Sequence, residues 1–316
     1  MRNLTFIALF VLLMSHVITV FAEELTIDQL LAMPLKDLLD IKITSSTLQE
    51  EDIRSVPSAI TVITRDEIRR LGATKLEEIV KLVPGFQTAR LGVSGTHNTL
   101  VSRGRRLGSA GKEVLVLLDG RRLQEDFAGG IQFLNRQVSL DNAQRVEFIR
   151  GPGSTIYGTN AFLGVVNIVT GEYSVARAAL GSNSMYDTSI QYARFFEGGD
   201  ISVFAKSNVD DGESLDTYDN KTGLFTDNSD PFDNYELYLK GSLYDFSGVI
   251  RFQGRESNRF YSSNLVGINA NHWDTNLFYI DVEYDTSLSK RFDVSASVFY
   301  TKSTTENDAN ITFSPF

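Results

Sequence analysis

The sequence contains no cysteine in 316 residues, which excludes disulfide staples, a thiol nucleophile, Cys-ligated zinc and iron–sulfur clusters. Histidine is nearly as scarce: there are 3, and His16 lies inside the N-terminal apolar run, so little is left for His-based metal or acid–base chemistry. Proline is sparse as well, with 6 residues, and together with a hydrophobic content of 42% this excludes a long disordered chain. Positive charge is in deficit, 30 Lys and Arg against 40 Asp and Glu, and the formal net charge of -10 argues against nucleic-acid binding, which depends on phosphate neutralisation. Past the first two dozen residues no apolar run is long enough to cross a bilayer as a helix. No Gly-x-Ser-x-Gly elbow occurs, and His97 and His272 fall in loops, so catalysis is not expected. What is plentiful is aromatic surface, 21 Phe and 12 Tyr.

The first segment reads as an address. Met1-Arg2 supplies a positive start, Leu4 to Val20 is almost wholly apolar, and Val20-Phe21-Ala22 precedes Glu23-Glu24. That is the pattern of a secretory signal peptide over residues 1–22, with a transmembrane anchor of marginal length as the alternative. Residues 23–54 form a short lead in which Leu30, Leu31, Leu35, Leu38 and Leu39 fall at helical spacing around Pro34. Asp40, Ile41, Lys42, Ile43, Thr44, Ser45 and Ser46 are β-prone and then polar.

Residues 55–172 read as a compact α+β domain. Ser58 to Ile63 predicts a strand, Arg65 to Leu71 a helix stopped by Gly72, and Thr74 with Glu77 a capping box that opens a second helix before Pro84-Gly85. Val114 to Leu118 predicts a buried strand, and Arg145 to Ile149 and Val165 to Thr170 further strands around Gly151-Pro-Gly-Ser-Thr-Ile-Tyr-Gly158. That glycine-rich run lacks the Lys-[Ser/Thr] pair of a phosphate loop and reads as a tight turn.

Residues 173–316 change to period-2 alternation. Asn276, Phe278, Ile280, Val282 and Tyr284 share a face opposite Asp281, Glu283 and Asp285; Phe292, Val294, Ala296, Val298 and Tyr300 do the same opposite Asp293, Ser295, Ser297 and Thr301. Apolar on one side and polar on the other over about ten residues is what a transmembrane barrel strand requires, a soluble antiparallel sheet being the alternative. Seven strands are predicted, 174–181, 185–196, 200–209, 234–240, 243–253, 274–286 and 291–302, with tight links at Glu197 to Gly199, Gly241-Ser242 and Ser287 to Lys290. Long links, Asp210 to Asp233 and Gly254 to Trp273, alternate with the tight ones, as extracellular loops alternate with periplasmic turns. The acidic residues Asp210, Asp211, Glu213, Asp216 and Asp219 have oxygens that suit Ca²⁺ but no EF-hand spacing, so a solvated loop is expected.

Five ordered blocks carry a resemblance: Val56 to Thr64, Ile68 to Thr74, Leu76 to Phe86, Ser102-Arg103-Gly104 with Val114 to Arg121, and Arg145 to Thr170. On these residues the chain resembles the TonB-dependent outer-membrane receptors over their signal peptide, TonB box, plug domain and first barrel strands. The fold class implied is an α+β plug domain followed by transmembrane antiparallel β-barrel strands, incomplete here, since a lumen that takes a plug needs about 22 strands. The expectation is therefore the N-terminal part of a longer receptor, with a truncated, non-transporting remnant as the alternative.

The resemblance implies TonB-dependent import of a scarce ligand across the outer membrane of a Gram-negative bacterium. It implies that residues 40–46 add as a strand to TonB, with its inner-membrane motor behind it, and that Arg103 and Arg150 pair with barrel carboxylates. The plug apices, 85–99 and 123–137, offer Arg90, Phe127, Phe133 and Arg136 to a small extracellular ligand. Cations with aromatic surfaces suit an anionic ferric siderophore; vitamin B12, haem and oligosaccharides are the other ligand classes. No cofactor, metal or nucleic acid is implied, and the lipid bilayer of the outer membrane is the remaining partner. A signalling receptor would carry a further folded periplasmic domain, for which residues 23–42 are too few.

Overall fold

The computed structural model describes residues 42–43, 51–52, 59–90, 98–104, 112–123, 138–153, 157–219, 224–229, 231–258, 261–262, 265–266, 271–289 and 292–309. Two compact units divide the chain, residues 1–89 with 98–171 and residues 90–97 with 172–316. The first begins with β1 (Lys42–Ile43) and β2 (Glu51–Asp52), paired antiparallel. It continues through β3 (Ala59–Thr64), helices α1 (Arg65–Leu71) and α2 (Leu76–Val80), then β4 (Phe86–Arg90) and β5 (Asn98–Ser102). β6 (Val114–Leu118), β7 (Arg121–Arg122), β8 (Ala143–Arg150) and β9 (Gly164–Thr170) complete it. A five-stranded mixed sheet runs β3-β8-β9-β6-β7, with only the β6–β9 pair parallel.

Local chemistry explains these elements. The continuous apolar run Val114 to Leu118 has no polar face to show to water, and every residue of β6 is buried. At α1 the hydroxyl of Thr64 accepts from Glu67 N, while Thr64 N donates to Glu67 Oε2 at 2.8 Å, a reciprocal cap. Those bonds hold the Glu67 carboxyl below its usual range, so their contribution is present above the unfolded carboxylate range and is lost as pH falls through the lowered value. Gly72, at φ 66, ends the helix in the left-handed region. The second cap differs from the sequence expectation: α2 starts at Leu76, and Glu78 rather than Glu77 reaches back, accepting from Thr74 N at 2.7 Å and Lys75 N at 3.0 Å. Either glutamate is within a turn of the cap, and spacing alone does not separate them.

Gly164 begins β9 where the backbone has no room for a side chain. A Cβ there would stand 2.7 Å from Phe86 Cζ and 2.8 Å from the Ile149 carbonyl oxygen, and the latter belongs to the neighbouring strand of the sheet. Gly164→Ala is expected to cost about 1–3 kcal/mol, as overpacking of a filled core does. A lowered urea midpoint for plug unfolding checks this, and an unchanged midpoint would show that Phe86 and β8 can give way.

The second unit is a seven-stranded antiparallel sheet. Its strands begin with β10 (Val175–Leu180), β11 (Tyr186–Phe196) and β12 (Gly199–Asp210). The first long link carries its own hairpin, β13 (Ser214–Asp219) with β14 (Leu224–Ser229), so part of the expected acidic loop is strand. β15 (Phe232–Leu243) and β16 (Phe246–Asn258) follow, then a second small hairpin, β17 (Tyr261–Ser262) with β18 (Leu265–Val266). β19 (Asn271–Ser289) and β20 (Phe292–Ala309) close the order β10-β11-β12-β15-β16-β19-β20.

The predicted turn at Gly241-Ser242 is corrected. Those residues pair with Gly248 and Ser247 inside the ladder, and the turn is Tyr244-Asp245, with Tyr244 at φ 51. Glycine is at 241 because β12 passes close by: a Cβ there would lie 3.0 Å from the Asp200 carbonyl oxygen. β19 and β20 also run further than their alternation predicts, because a backbone ladder can continue where the apolar side chains stop.

Candidate functional site

The segment expected to meet a periplasmic partner is extended where it is described. Lys42 stands opposite Asp52 and Ile43 opposite Glu51 in a two-stranded ladder, which leaves each strand one edge open within that sheet. Asp40, Ile41, Thr44, Ser45 and Ser46 lie outside the described residues, as do Phe127, Phe133 and Arg136. Arg90 is the last residue of β4, with its side chain outside what is described.

The two plug arginines differ in setting. Arg103 is exposed and sits in the left-handed region at φ 53, followed by Gly104 at φ 68, and its N–H donates to Gly85 O at 2.7 Å. Arg150 ends β8 between Ala59 and Gly164, half-buried, and its Nε is buried with no hydrogen-bond partner among the described residues. An Nε–H withdrawn from water in this way calls for an acceptor.

Sequence reasoning missed a polar seam through the middle of the plug. Glu147 is 0% exposed in the centre of β8; Arg145 Nε donates to its Oε1 at 2.8 Å and Asn167 Nδ2 to its Oε2 at 3.2 Å. The Asn167 Oδ1 accepts from Gly120 N at 3.1 Å, and beside it Asp119 accepts from Thr170 N at 2.8 Å and Thr170 Oγ1 at 2.6 Å. The seam therefore ties β8, β9 and the β6–β7 turn by side chains as well as by backbone. The one sequence signal for it is a charged pair, Arg145 and Glu147, at spacing 2 inside an otherwise apolar strand.

The glycine-rich turn is clamped from the β6–β7 hairpin. The Arg122 guanidinium donates to the carbonyl oxygens of Tyr157 and Thr159 and to Thr159 Oγ1. Gly153 N donates to Ala161 O at 2.8 Å and Tyr157 N to Gly153 O at 2.9 Å, so the segment folds back on itself. The Tyr157 ring packs against the core cluster of Leu115, Leu117, Ile149, Ala161 and Val165. Burial first, and then the Glu147 charge, pushes its phenol up to about 12, so it remains a neutral packing group.

In the sheet, one face is polar and buried. Asp187 stands between Arg177 Nη1 at 3.1 Å and Lys206 Nζ at 3.3 Å, and Arg251 Nε reaches Glu236 Oε1 at 2.9 Å. Asp187 and Lys206 are 5% and 4% exposed in their side chains, Glu236 and Arg251 3% each, so neighbouring strands neutralise one another's charge in pairs. The opposite face carries Leu180, Ile201, Leu243, Phe246, Ile250, Val282, Val298 and Tyr300, all exposed. Polar inside and apolar outside inverts a soluble sheet and is the arrangement of a transmembrane barrel wall. Among the described residues no group of His, Asp and Glu is placed to hold a metal ion.

Comparison with known proteins agrees with this construction. The family profile described as TonB-dependent Receptor Plug Domain matches residues 52–165. A curated relative, the vitamin B12 transporter BtuB of Vibrio vulnificus (strain CMCP6), is 29% identical over 240 residues, covering 72% of this chain and 38% of its own. Among solved structures, the ferric citrate transporter FecA in its unliganded form superposes with a TM-score of 0.65 at 16% identity, covering 85% of this chain and 43% of that one. The ferric-catecholate import receptor Fiu from E. coli K12 gives 0.60 at 13% identity, covering 84% and 41%. At such identities the structural likeness speaks for the fold, a plugged barrel. The chain spans about two fifths of the length of these proteins.

Proposed function

We propose that this chain is part of a TonB-dependent receptor, the family whose plug profile matches residues 52–165, and that the whole protein imports a scarce ligand across a bacterial outer membrane. The observation that carries the proposal is the pairing of a plug with an inverted sheet, polar where it is buried and apolar where it is exposed. Residues 40–46 meet TonB by strand addition, which needs extended backbone with a free edge, as β1 has within its sheet. The outer membrane has no ATP, so this contact supplies the work that opens a path through the plug. Arg103 and Arg150 hold the resting plug to carboxylates of the wall.

A ferric siderophore is the proposed ligand class, taken by Arg90, Phe127, Phe133 and Arg136 through charge and ring contacts. Cobalamin is the second reading, favoured by the similarity to the Vibrio vitamin B12 transporter. Uptake of radiolabelled ferric siderophores and of cyanocobalamin, in cells with and without TonB, tests both. TonB-dependent entry of a ferric chelate supports the first reading, entry of cobalamin alone moves the ligand to the second, and uptake indifferent to TonB rejects the mechanism. Arg90→Ala with Phe133→Ala is expected to weaken binding by roughly 1–3 kcal/mol if the pair anchors the ligand. Equal affinity across a panel of iron chelates would remove these residues from the site.

A further inference from the structure

We propose that the hairpin in the first long link binds a small organic amine, a primary ammonium carried on an apolar stem. The site is one face of β13 and β14, and the proposal holds whichever ligand the receptor imports.

The register sorts this hairpin into two faces. Ser214 stands opposite Ser229, Asp216 opposite Asp227 and Tyr218 opposite Phe225, and alternation puts these six on one side. Along that face the order is a hydroxyl pair, a carboxylate pair and an aromatic pair. The Tyr218 and Phe225 rings meet at 5.2 Å between centroids, tilted by 57°. A cross-strand aromatic pair stabilises a hairpin, and that is the ordinary use of such rings. It does not account for their exposure, 50% for Tyr218 and 74% for Phe225, which leaves ring surface in solvent. β18 lies beside β13, yet Ser214, Asp216, Tyr218 and Phe225 all remain exposed, so that neighbour does not cover this face.

The carboxylate pair sets the charge of the guest. Like charges directly opposite in a ladder oppose the pairing of the strands that carry them. Neither β13 nor β14 contains a Lys, Arg or His to offset Asp216 and Asp227. Across the whole link, residues 210–233, eight Asp and Glu stand against one basic residue, Lys221. A field so one-sided raises the local concentration of cations.

The rings set its chemistry. Calcium and magnesium ask for several converging oxygens, and among the described residues no group of three His, Asp or Glu is placed to hold a metal ion. What adjoins the carboxylates is instead a pair of rings, two residues or ~7 Å further along the strands. A strongly hydrated metal ion gains little from a π face. An ammonium on a carbon stem uses both features: its N–H groups donate to carboxylate oxygens, its stem lies on the rings, and its charge meets their negative faces. Two carboxylates beside two exposed rings therefore fit an alkylammonium better than a bare ion.

Equilibrium dialysis of the full-length receptor against radiolabelled cadaverine, a linear diamine, tests the site, with the corresponding diol as the same chain without charge. The diamine is expected to bind and the diol to leave it in place. Tyr218→Leu with Phe225→Leu keeps an apolar cross-strand contact and removes the π faces, and should weaken the diamine by about two- to fivefold. Asp216→Asn with Asp227→Asn should weaken it by about tenfold, a loss that shrinks as salt is raised. Tyr218→Phe keeps both rings and should bind as the parent does. Binding unaltered in the leucine variant would overturn the site and leave only a diffuse negative field. Displacement of the diamine by equimolar calcium chloride would overturn it in favour of a metal site.

Discussion

A receptor carrying Ile43→Pro is expected to bind its ligand at the cell surface and fail to import it. Strand addition is a backbone interaction, and proline removes the donor at its own position while constraining Lys42 before it. Ile43 is extended and laddered opposite Glu51, so the substitution acts on a residue already in the conformation that an added strand requires. Uptake should fall to the background of a strain without TonB, with the surface dissociation constant unchanged, and Ile43→Val should restore it because valine keeps the N–H and the β preference. Undiminished uptake by the proline variant would reject the assignment of residues 40–46.

Glu147→Leu should be the most damaging single change in the plug core. The leucine fills the space, but it leaves the Arg145 guanidinium and the Asn167 amide without the carboxylate that each of them touches. Breaking one side of a buried charged pair costs about 3–5 kcal/mol. Hydrogen exchange at the β8 and β9 amides of the intact receptor reads this as lost protection. The double variant Arg145→Met with Glu147→Leu should regain much of it, since a matched apolar pair removes the stranded charge rather than exposing it. Protection equal to the parent's in the Glu147→Leu single variant would show that the pair is incidental to the sheet.

These two residues mark the limits of what the chain discloses before it is folded. The period-2 faces around Phe278 to Tyr284 and Val294 to Tyr300 were legible, because in a barrel wall each residue's side is dictated by its parity. The strand Val114 to Leu118 was legible because an unbroken apolar run is buried on both faces. Glu147 was not, since a carboxylate at that parity reads as a surface residue until Asn167 and Arg145, from 20 residues away and from 2, are seen to close on it. The turn at Tyr244 was hidden for the opposite reason. The glycine that seemed to signal it, Gly241, serves a close passage of β12, and the residue that takes the positive φ is a tyrosine. The ion pairs Asp187–Lys206 and Glu236–Arg251 depend on register, which composition does not carry.

The order of strands in the plug also dictates how long it stays unfinished during biogenesis. β3 is completed by Thr64, yet its sheet partner β8 spans Ala143–Arg150, and β6 acquires its parallel neighbour only with Gly164–Thr170. A polypeptide threaded through the inner membrane from its N-terminus would thus present Ala59–Thr64 to the periplasm as an unmatched apolar ribbon until nearly ninety further residues have emerged. Such late, non-local closure is slow, and an orphaned strand invites pairing with whatever passes. Survival of this segment in transit should therefore depend on periplasmic chaperones that hold extended chains, and their depletion should send the early plug strands to proteases before the seven-stranded sheet is begun.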